Sequence, residues 1–322
     1  MITYLLGDGI DSRFLLLTCF ILSFLGTISF LALLKERLPR DVGREFAVNG
    51  EKSKGKPRGA GIIFILVFVL LSLLLLPVDA EAIVYLVMLT AAMLSGYLDD
   101  ASAHPWGRLK KGLLDFVIAG ICTGTYLNFN GSSFRLLPDG GVIELHPALF
   151  AALAVILIFA AINVVNCTDG VDGLSTTIAI VSLVSFFLVF RQTEDSLYGA
   201  MIVSFLLSLM GYLWFNASPS KLLMGDAGSR AIGLLLALLC LKCGTPLLFL
   251  PLCFVFILDG GLGLLKITLI KLFHRPVMTK LRTPLHDHTR KVLGWSDTQT
   301  VFRFTIVQVV VSALTIYVLF FY

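Results

Sequence analysis

Apolar stretches of roughly twenty residues recur along the whole chain, separated by short polar connections. A window of about 19 residues places them near 14–34, 60–77, 81–98, 112–129, 147–166, 174–191, 196–217, 227–243, 246–265 and 297–320. That length carries a helix across a bilayer core, where a helix satisfies its own backbone hydrogen bonds. The pattern predicts an all-α polytopic membrane protein with about ten transmembrane helices, read as a single domain over residues 1–322. The first run, Phe14 to Leu34, is too long for a cleaved signal and is expected to be the first span. The stretch 130–146 reads as a hairpin-like turn.

Composition agrees: 57% of the residues are hydrophobic and only 14% are charged. Soluble domains carry about 25% charged residues, so this chain is solvated largely by lipid. The net charge of +4 matters less than its placement. Twenty of the 25 Lys and Arg residues lie in or beside alternate connections near 35–59, 99–111, 167–173, 218–226 and 266–296, against four on the other side. The positive-inside rule makes those five connections cytoplasmic and puts both termini on the outer, periplasmic or extracellular, side. The expected location is a membrane crossed many times, with these five connections in the cytoplasm. No nucleic-acid partner is expected. The six cysteines lie in or beside apolar runs without zinc-site spacing, so Cys240 and Cys243 are expected simply to pack.

Every unusual polar motif falls on the cytoplasmic side. "KSKGKPRGAG" (52–61) lies in the first connection and "GYLDD" (96–100) ends the third span. "NVVNCTDGVDGL" (163–174) joins spans five and six, and "NASPSKLLMGDAGS" (216–229) joins seven and eight. "TPLHDHTRKVLGW" (283–295) fills the last. Asp99 and Asp100 repel each other at the membrane boundary, so a divalent cation or a lysine is the expected partner. Asp226, between glycines where span eight opens, reads either as an N-cap or as part of a phosphate-binding turn. Asn163, Asn166, Asp169 and Asp172 are spaced by threes, a step that drifts about 60° around a helix. With Gly170 and Gly173 they suggest that the helix ends and the polar groups line a loop. Their donors and acceptors suit a nucleobase, sugar hydroxyls or a hydrated ion. His286, Asp287 and His288 beside Arg290 suit a pyrophosphate better than a transition metal. Asp259, inside span nine, is expected to hold a kink or meet a lysine, with a substrate role as the alternative. Acids, bases and a membrane surface together imply Mg²⁺, a soluble diphosphate and a lipid phosphate.

These five motifs, in this order, resemble the polyprenyl-phosphate N-acetylhexosamine-1-phosphate transferase superfamily, and within it the phospho-N-acetylmuramoyl-pentapeptide-transferase (MraY) family. "GKPRGAG" resembles GTPTMGG, "GYLDD" resembles GFLDD, and "NVVNCTDGVDGL" resembles NAVNLTDGLDGL. "NASPSKLLMGDAGS" resembles NAxPAKVFMGDTGS, and "TPLHDHTRKVLGW" with "TVFRF" resembles PLHHHFELxGW…VVxRFW. The resemblance implies that undecaprenyl phosphate attacks the β-phosphorus of UDP-N-acetylmuramoyl-pentapeptide, releasing UMP and forming lipid I for peptidoglycan synthesis, in a bacterial plasma membrane with the active site facing the cytoplasm. It implies that Asp99 deprotonates or orients the lipid phosphate with Asp100 beside it, and that Asp226 ligates Mg²⁺. Asn166 and Asp169 would line the nucleotide pocket, Asp172 would meet the uracil, and Lys111 would hold phosphate. Lys54, Asn163, His286 and His288 complete the expected substrate-binding set, and a homodimer is plausible for the family. Three positions depart from its pattern: Asp287 replaces the middle histidine, Leu223 the aromatic before MGD, and Lys56 and Arg58 the two threonines.

Three other readings compete. A sibling transferase would use UDP-GlcNAc or another UDP-HexNAc for teichoic acid, O-antigen or other surface glycans. An ion-coupled transporter would place its acids near the midplane in repeated halves, and the sequence shows no repeat. An inactive paralogue would act as a binding or regulatory membrane protein.

Overall fold

The computed structural model describes residues 12–43, 53–102, 104, 106–136, 140–193 and 195–321. Each expected apolar segment is helical: α1 (Ser12–Leu34), α2 (Gly61–Leu75), α3 (Ala80–Asp100), α4 (Arg108–Asn130), α5 (Pro147–Thr168), α6 (Leu174–Thr193), α7 (Ser196–Asn216) and α8 (Gly225–Lys242). The ninth segment is broken into α9 (Pro246–Leu252) and α10 (Phe254–Phe273), bent by 75°. A short α11 (Leu285–Lys291) precedes α12 (Asp297–Phe321). Seven of these helices are long and apolar enough to cross a membrane, or eight if the bent pair is one span. The protein is therefore an all-α polytopic membrane protein. Of the other two expected spans, α2 has only 15 residues, and α8 carries Asp226, Arg230 and Lys242. The expected hairpin is a two-stranded antiparallel ribbon, β1 (Ser133–Arg135) on β2 (Val142–Glu144), with Phe134 opposite Ile143.

The helix α8 is the axis of the bundle, buried from Gly225 to Leu241. A helix buried on every side must be approached closely, and small residues allow that without a hydrophobic driving force between helices. A Cβ at Gly61 would overlap the backbone of Gly228, and one at Gly96 the backbone of Asp226. Farther along α8, a Cβ at Gly233 would lie 2.7 Å from Cα of Ile162 on α5. Three glycines thus let α2, α3 and α5 touch α8 at main-chain distance. Gly96→Ala is expected to cost about 1–3 kcal/mol by overpacking, read as a lower melting temperature in detergent. Gly120→Ala on α4, where a Cβ would meet nothing within 4 Å, is the control that should hold or slightly raise the melting temperature, since alanine favours a helix more than glycine does.

The break in the ninth segment exposes backbone groups that lipid cannot satisfy. Gln308 of α12 satisfies them: its carbonyl accepts from the Val255 N–H at 2.9 Å, and its amide donates to the carbonyls of Pro251 and Leu252 at 3.1 Å each. Beyond the break, a π-turn over Ile257–Gly261 buries Asp259. Such wide turns recur at functional sites. The seven-residue α11 has no apolar period to announce it. A helix that short is held by tertiary contacts rather than by its own propensity.

Candidate functional site

The polar motifs meet at one end of the bundle. The end of α3 supplies Asp99 and Asp100, and the first turn of α8 supplies Asp226. One ligand oxygen from each lies within 4.8 Å of the others. Asp226 is the second residue of α8, and Met224 is the capping residue, so the N-cap alternative is excluded. Gly225 has φ of +66° and leaves room for the Asp100 carboxylate, which accepts from the Ala227 N–H at 3.4 Å. The glycine before Asp226 therefore serves both the positive φ and the close approach.

Two cations hold the acids. Lys111, from the first turn of α4, pairs with Asp99 and reaches Asp226 Oδ2 at 3.1 Å. Asp99 also accepts from the Trp106 N–H at 2.6 Å. Arg58 donates from Nε to Asp100 at 2.8 Å, and its terminal nitrogens lie 3.1 Å from Asp41 and 3.5 Å from Asp226. Burial opposes the Arg58 charge, but Asp100, Asp226 and Asp41 outweigh it and hold its pKa above the ordinary arginine range. Asn166 donates to Asp226 at 3.4 Å while accepting from Ser229 at 3.1 Å, which fixes its amide.

Beside the acids lies a cleft of about 420 Å³ whose lining includes Lys56, Arg58, Asp169, Asp172, His286 and Arg290. Asp172 accepts from the Ser220 N–H at 2.9 Å and faces Lys56 Nζ at 3.4 Å. His286 is fixed by Asp259, which accepts from its backbone N–H and faces its Nδ1, both at 2.7 Å. Its Nε2 lies against Gly170, where a Cβ would collide with it. Asp259 thus pairs with a histidine, where a kink-holding or lysine-pairing role was expected. Asp287, the departure from the histidine triplet, accepts from Arg290 at 2.9 Å.

A model of glycosyl transferase family 4 matches residues 82–244. The phospho-N-acetylmuramoyl-pentapeptide-transferase of Treponema pallidum (strain Nichols) is 40% identical, covering 84% of this chain and 80% of its own length. This chain belongs to that family. The proteins of the same name from Wolbachia sp. subsp. Brugia malayi and Clostridium acetobutylicum are 29% and 28% identical. They cover 82% and 92% of this chain, and 84% and 96% of their own lengths. The protein is a phospho-sugar transferase with multiple membrane-crossing helices.

Not every residue singled out in the sequence reaches the cleft. The expected loop of polar groups begins later than anticipated, because α5 runs on to Thr168. Asn163 and Asn166 therefore sit on the helix outside the cleft lining, Asn166 against Asp226 and Asn163 donating to Asp115 at 3.3 Å and to the Phe159 carbonyl at 2.9 Å. Lys54 is exposed and outside the cleft lining. His288 also lies outside it, accepting from the Arg282 N–H at 3.3 Å. His288→Ala is expected to stay within about twofold of wild-type activity, whereas His286→Ala should lose at least about tenfold through misplacement of groups at the cleft. Rates of UMP release for the two variants check this. Three partners were missed in the sequence: Asp41, Asp115 and Arg230. Nothing marks Asp41, but the other two are charges inside apolar spans, which is itself a signal.

Proposed function

We propose that the protein transfers phospho-N-acetylmuramoyl-pentapeptide from its UDP-linked donor to undecaprenyl phosphate, forming lipid I and releasing UMP at the cytoplasmic face of a bacterial membrane. The observation that carries this is the convergence of Asp99, Asp100 and Asp226 within 4.8 Å beside a basic cleft. The relatives named for this transfer span most of the chain. The excess of Lys and Arg on the connections that bear the site supports its cytoplasmic orientation.

Three buried or half-buried carboxylate side chains form an all-oxygen donor set, which suits magnesium, with Asp226 as its principal ligand. When bound, the ion supplies neutralisation of diphosphate charge during attack on the β-phosphorus. The remaining work falls to the chain. Asp172 and Asp169 line the cleft and offer acceptors to the nucleoside, and Lys56, Arg58 and Arg290 offer donors to its phosphates. His286, oriented through Nδ1 by Asp259, presents Nε2 on the cleft side. Lys111 bridges Asp99 and Asp226, so an acceptor phosphate brought to that pair meets a fixed ammonium beside a carboxylate.

Purified protein should release UMP from UDP-N-acetylmuramoyl-pentapeptide when undecaprenyl phosphate is present, and EDTA should stop it until Mg²⁺ is restored. Release from UDP-GlcNAc and not from the muramoyl donor would move the reading to the sibling transferases. No release from any UDP-HexNAc would remove it.

A further inference from the structure

Arg58 stands where the resembled motif has threonine, and it contacts more of the acid cluster than any substrate-binding role requires. Its guanidinium is shared by Asp41, Asp100 and Asp226, residues of three separate segments. Lys111 takes Asp99 and the other oxygen of Asp226. Both oxygens of Asp226 therefore already face a cation, and so does each acid of the cluster. A divalent ion entering this nest meets two positive groups in a largely buried place, where like-charge proximity is poorly screened. The ion is held weakly while both stay in place and more tightly once one of them gives way.

Arg58 has somewhere to go. It lines the cleft with Lys56, two residues earlier on the same segment, and its side chain remains 18% exposed. Lys111 does not line that cleft. A diphosphate in the cleft would accept a planar guanidinium through paired hydrogen bonds, replacing those to the carboxylates. The donor and the metal thus remove each other's obstacle: the ion displaces Arg58 from the acids, and phosphate oxygens receive it.

We infer that Arg58 is a resident counter-ion of the acid cluster that couples metal loading to the arrival of a nucleoside diphosphate. The inference rests on the transferase reading above. Before a diphosphate binds, Arg58 neutralises the cluster and keeps metal affinity low. With a diphosphate present, it changes partners and the cluster is released for the ion. By linkage the effect is mutual, so metal must tighten diphosphate binding by the same factor.

The test titrates Mn²⁺, an oxygen-preferring reporter visible by electron paramagnetic resonance, into the purified full-length protein with and without UDP, correcting for Mn²⁺ held by free UDP. In wild type, UDP is expected to tighten Mn²⁺ binding by about tenfold or more, within the usual span of coupling between sites. Arg58→Thr should bind Mn²⁺ alone about tenfold more tightly than wild type and lose most of the UDP effect. Arg58→Lys keeps the charge but cannot bridge three carboxylates, and should fall between the two. Mn²⁺ affinity and UDP coupling unchanged in Arg58→Thr would overturn the role of Arg58 while leaving the transferase reading intact. If Arg58→Thr does not fold, Arg58→Lys decides alone: reduced coupling supports the role and wild-type coupling overturns it. Wild-type protein that binds neither Mn²⁺ nor UDP would remove the transferase reading, and this inference with it.

Discussion

Asp226→Asn is expected to lower UMP release by at least about a hundredfold, the scale on which an active site responds to losing one fixed electrostatic partner of the reacting group. The substitution keeps the size and shape of the side chain and removes only its charge. What holds this turn in place is largely main chain: Gly96 lets α3 rest on the backbone of Asp226 and Gly61 lets α2 rest on that of Gly228. The fold should therefore survive. The site should not, because Asp226 is where Lys111, Arg58 and Asn166 meet at 3.1, 3.5 and 3.4 Å. An amide in that place gives a divalent ion a weaker ligand and leaves two cations facing fewer negative charges. Asp172→Asn provides the contrast. It lines the cleft itself, held by the Ser220 N–H and Lys56, and its loss should raise KM for the UDP-linked donor more than it lowers kcat. Steady-state rates with the muramoyl donor, beside melting curves of both variants, separate the two effects. Asp226→Asn that melts like wild type and retains activity within about threefold would end the case for this residue at the reacting centre.

Why the site was partly legible in the sequence follows from the same residues. Asp99, Asp100 and Asp226 stand out because a carboxylate at the end of an apolar run is costly and must be compensated. Glycines before and after Asp226 reported a backbone that must come close to another. Charge asymmetry among the connections grouped the motifs on one face before any contact was known. The partners of those acids were harder to read. Arg58 and Lys56 lie in a basic loop where eight Lys and Arg residues look alike, and only tertiary structure shows that Arg58 turns toward three carboxylates. Asn163 and Asn166 share a motif and a spacing, yet one faces Asp115 and the other Asp226. The helix continues through both, and three residues on a helix change direction by about 60°. The π-turn that aims Asp259 at His286 has no marker beyond its two glycines. Local pattern thus reports which segments are buried and where they end. It does not report how wide turns and long side chains reach between segments.

Asp115 and Arg230 carry the last expectation, and it concerns stability. They pair between α4 and α8, with side chains 3% and 1% exposed. Each lies four residues beyond a member of the Lys111–Asp226 pair on the same helix. The two helices are therefore joined by two rungs, one at the acid cluster and one a turn farther along. The farther rung is poorly suited to stabilise by itself. Arg230 also reaches the Lys111 carbonyl at 3.4 Å, but its Nε and one terminal nitrogen have no hydrogen-bond partner among the described residues. Removing either charge should nevertheless cost about 3–5 kcal/mol, because the survivor is left buried without its counter-ion. Replacing both by leucine should recover most of that loss, since a well-packed apolar pair serves a buried site as well as an ion pair. A double-mutant cycle of Asp115→Leu and Arg230→Leu, followed by thermal unfolding in detergent, measures the coupling directly. Transfer activity then separates stability from register: if the farther rung only supports packing, the double variant regains activity with stability. If it also sets the height of Lys111 against Asp226, the double variant folds but stays slow. A double variant as unstable as either single one would mean that the pair stabilises the bundle outright, contrary to the cost of burying its unsatisfied guanidinium.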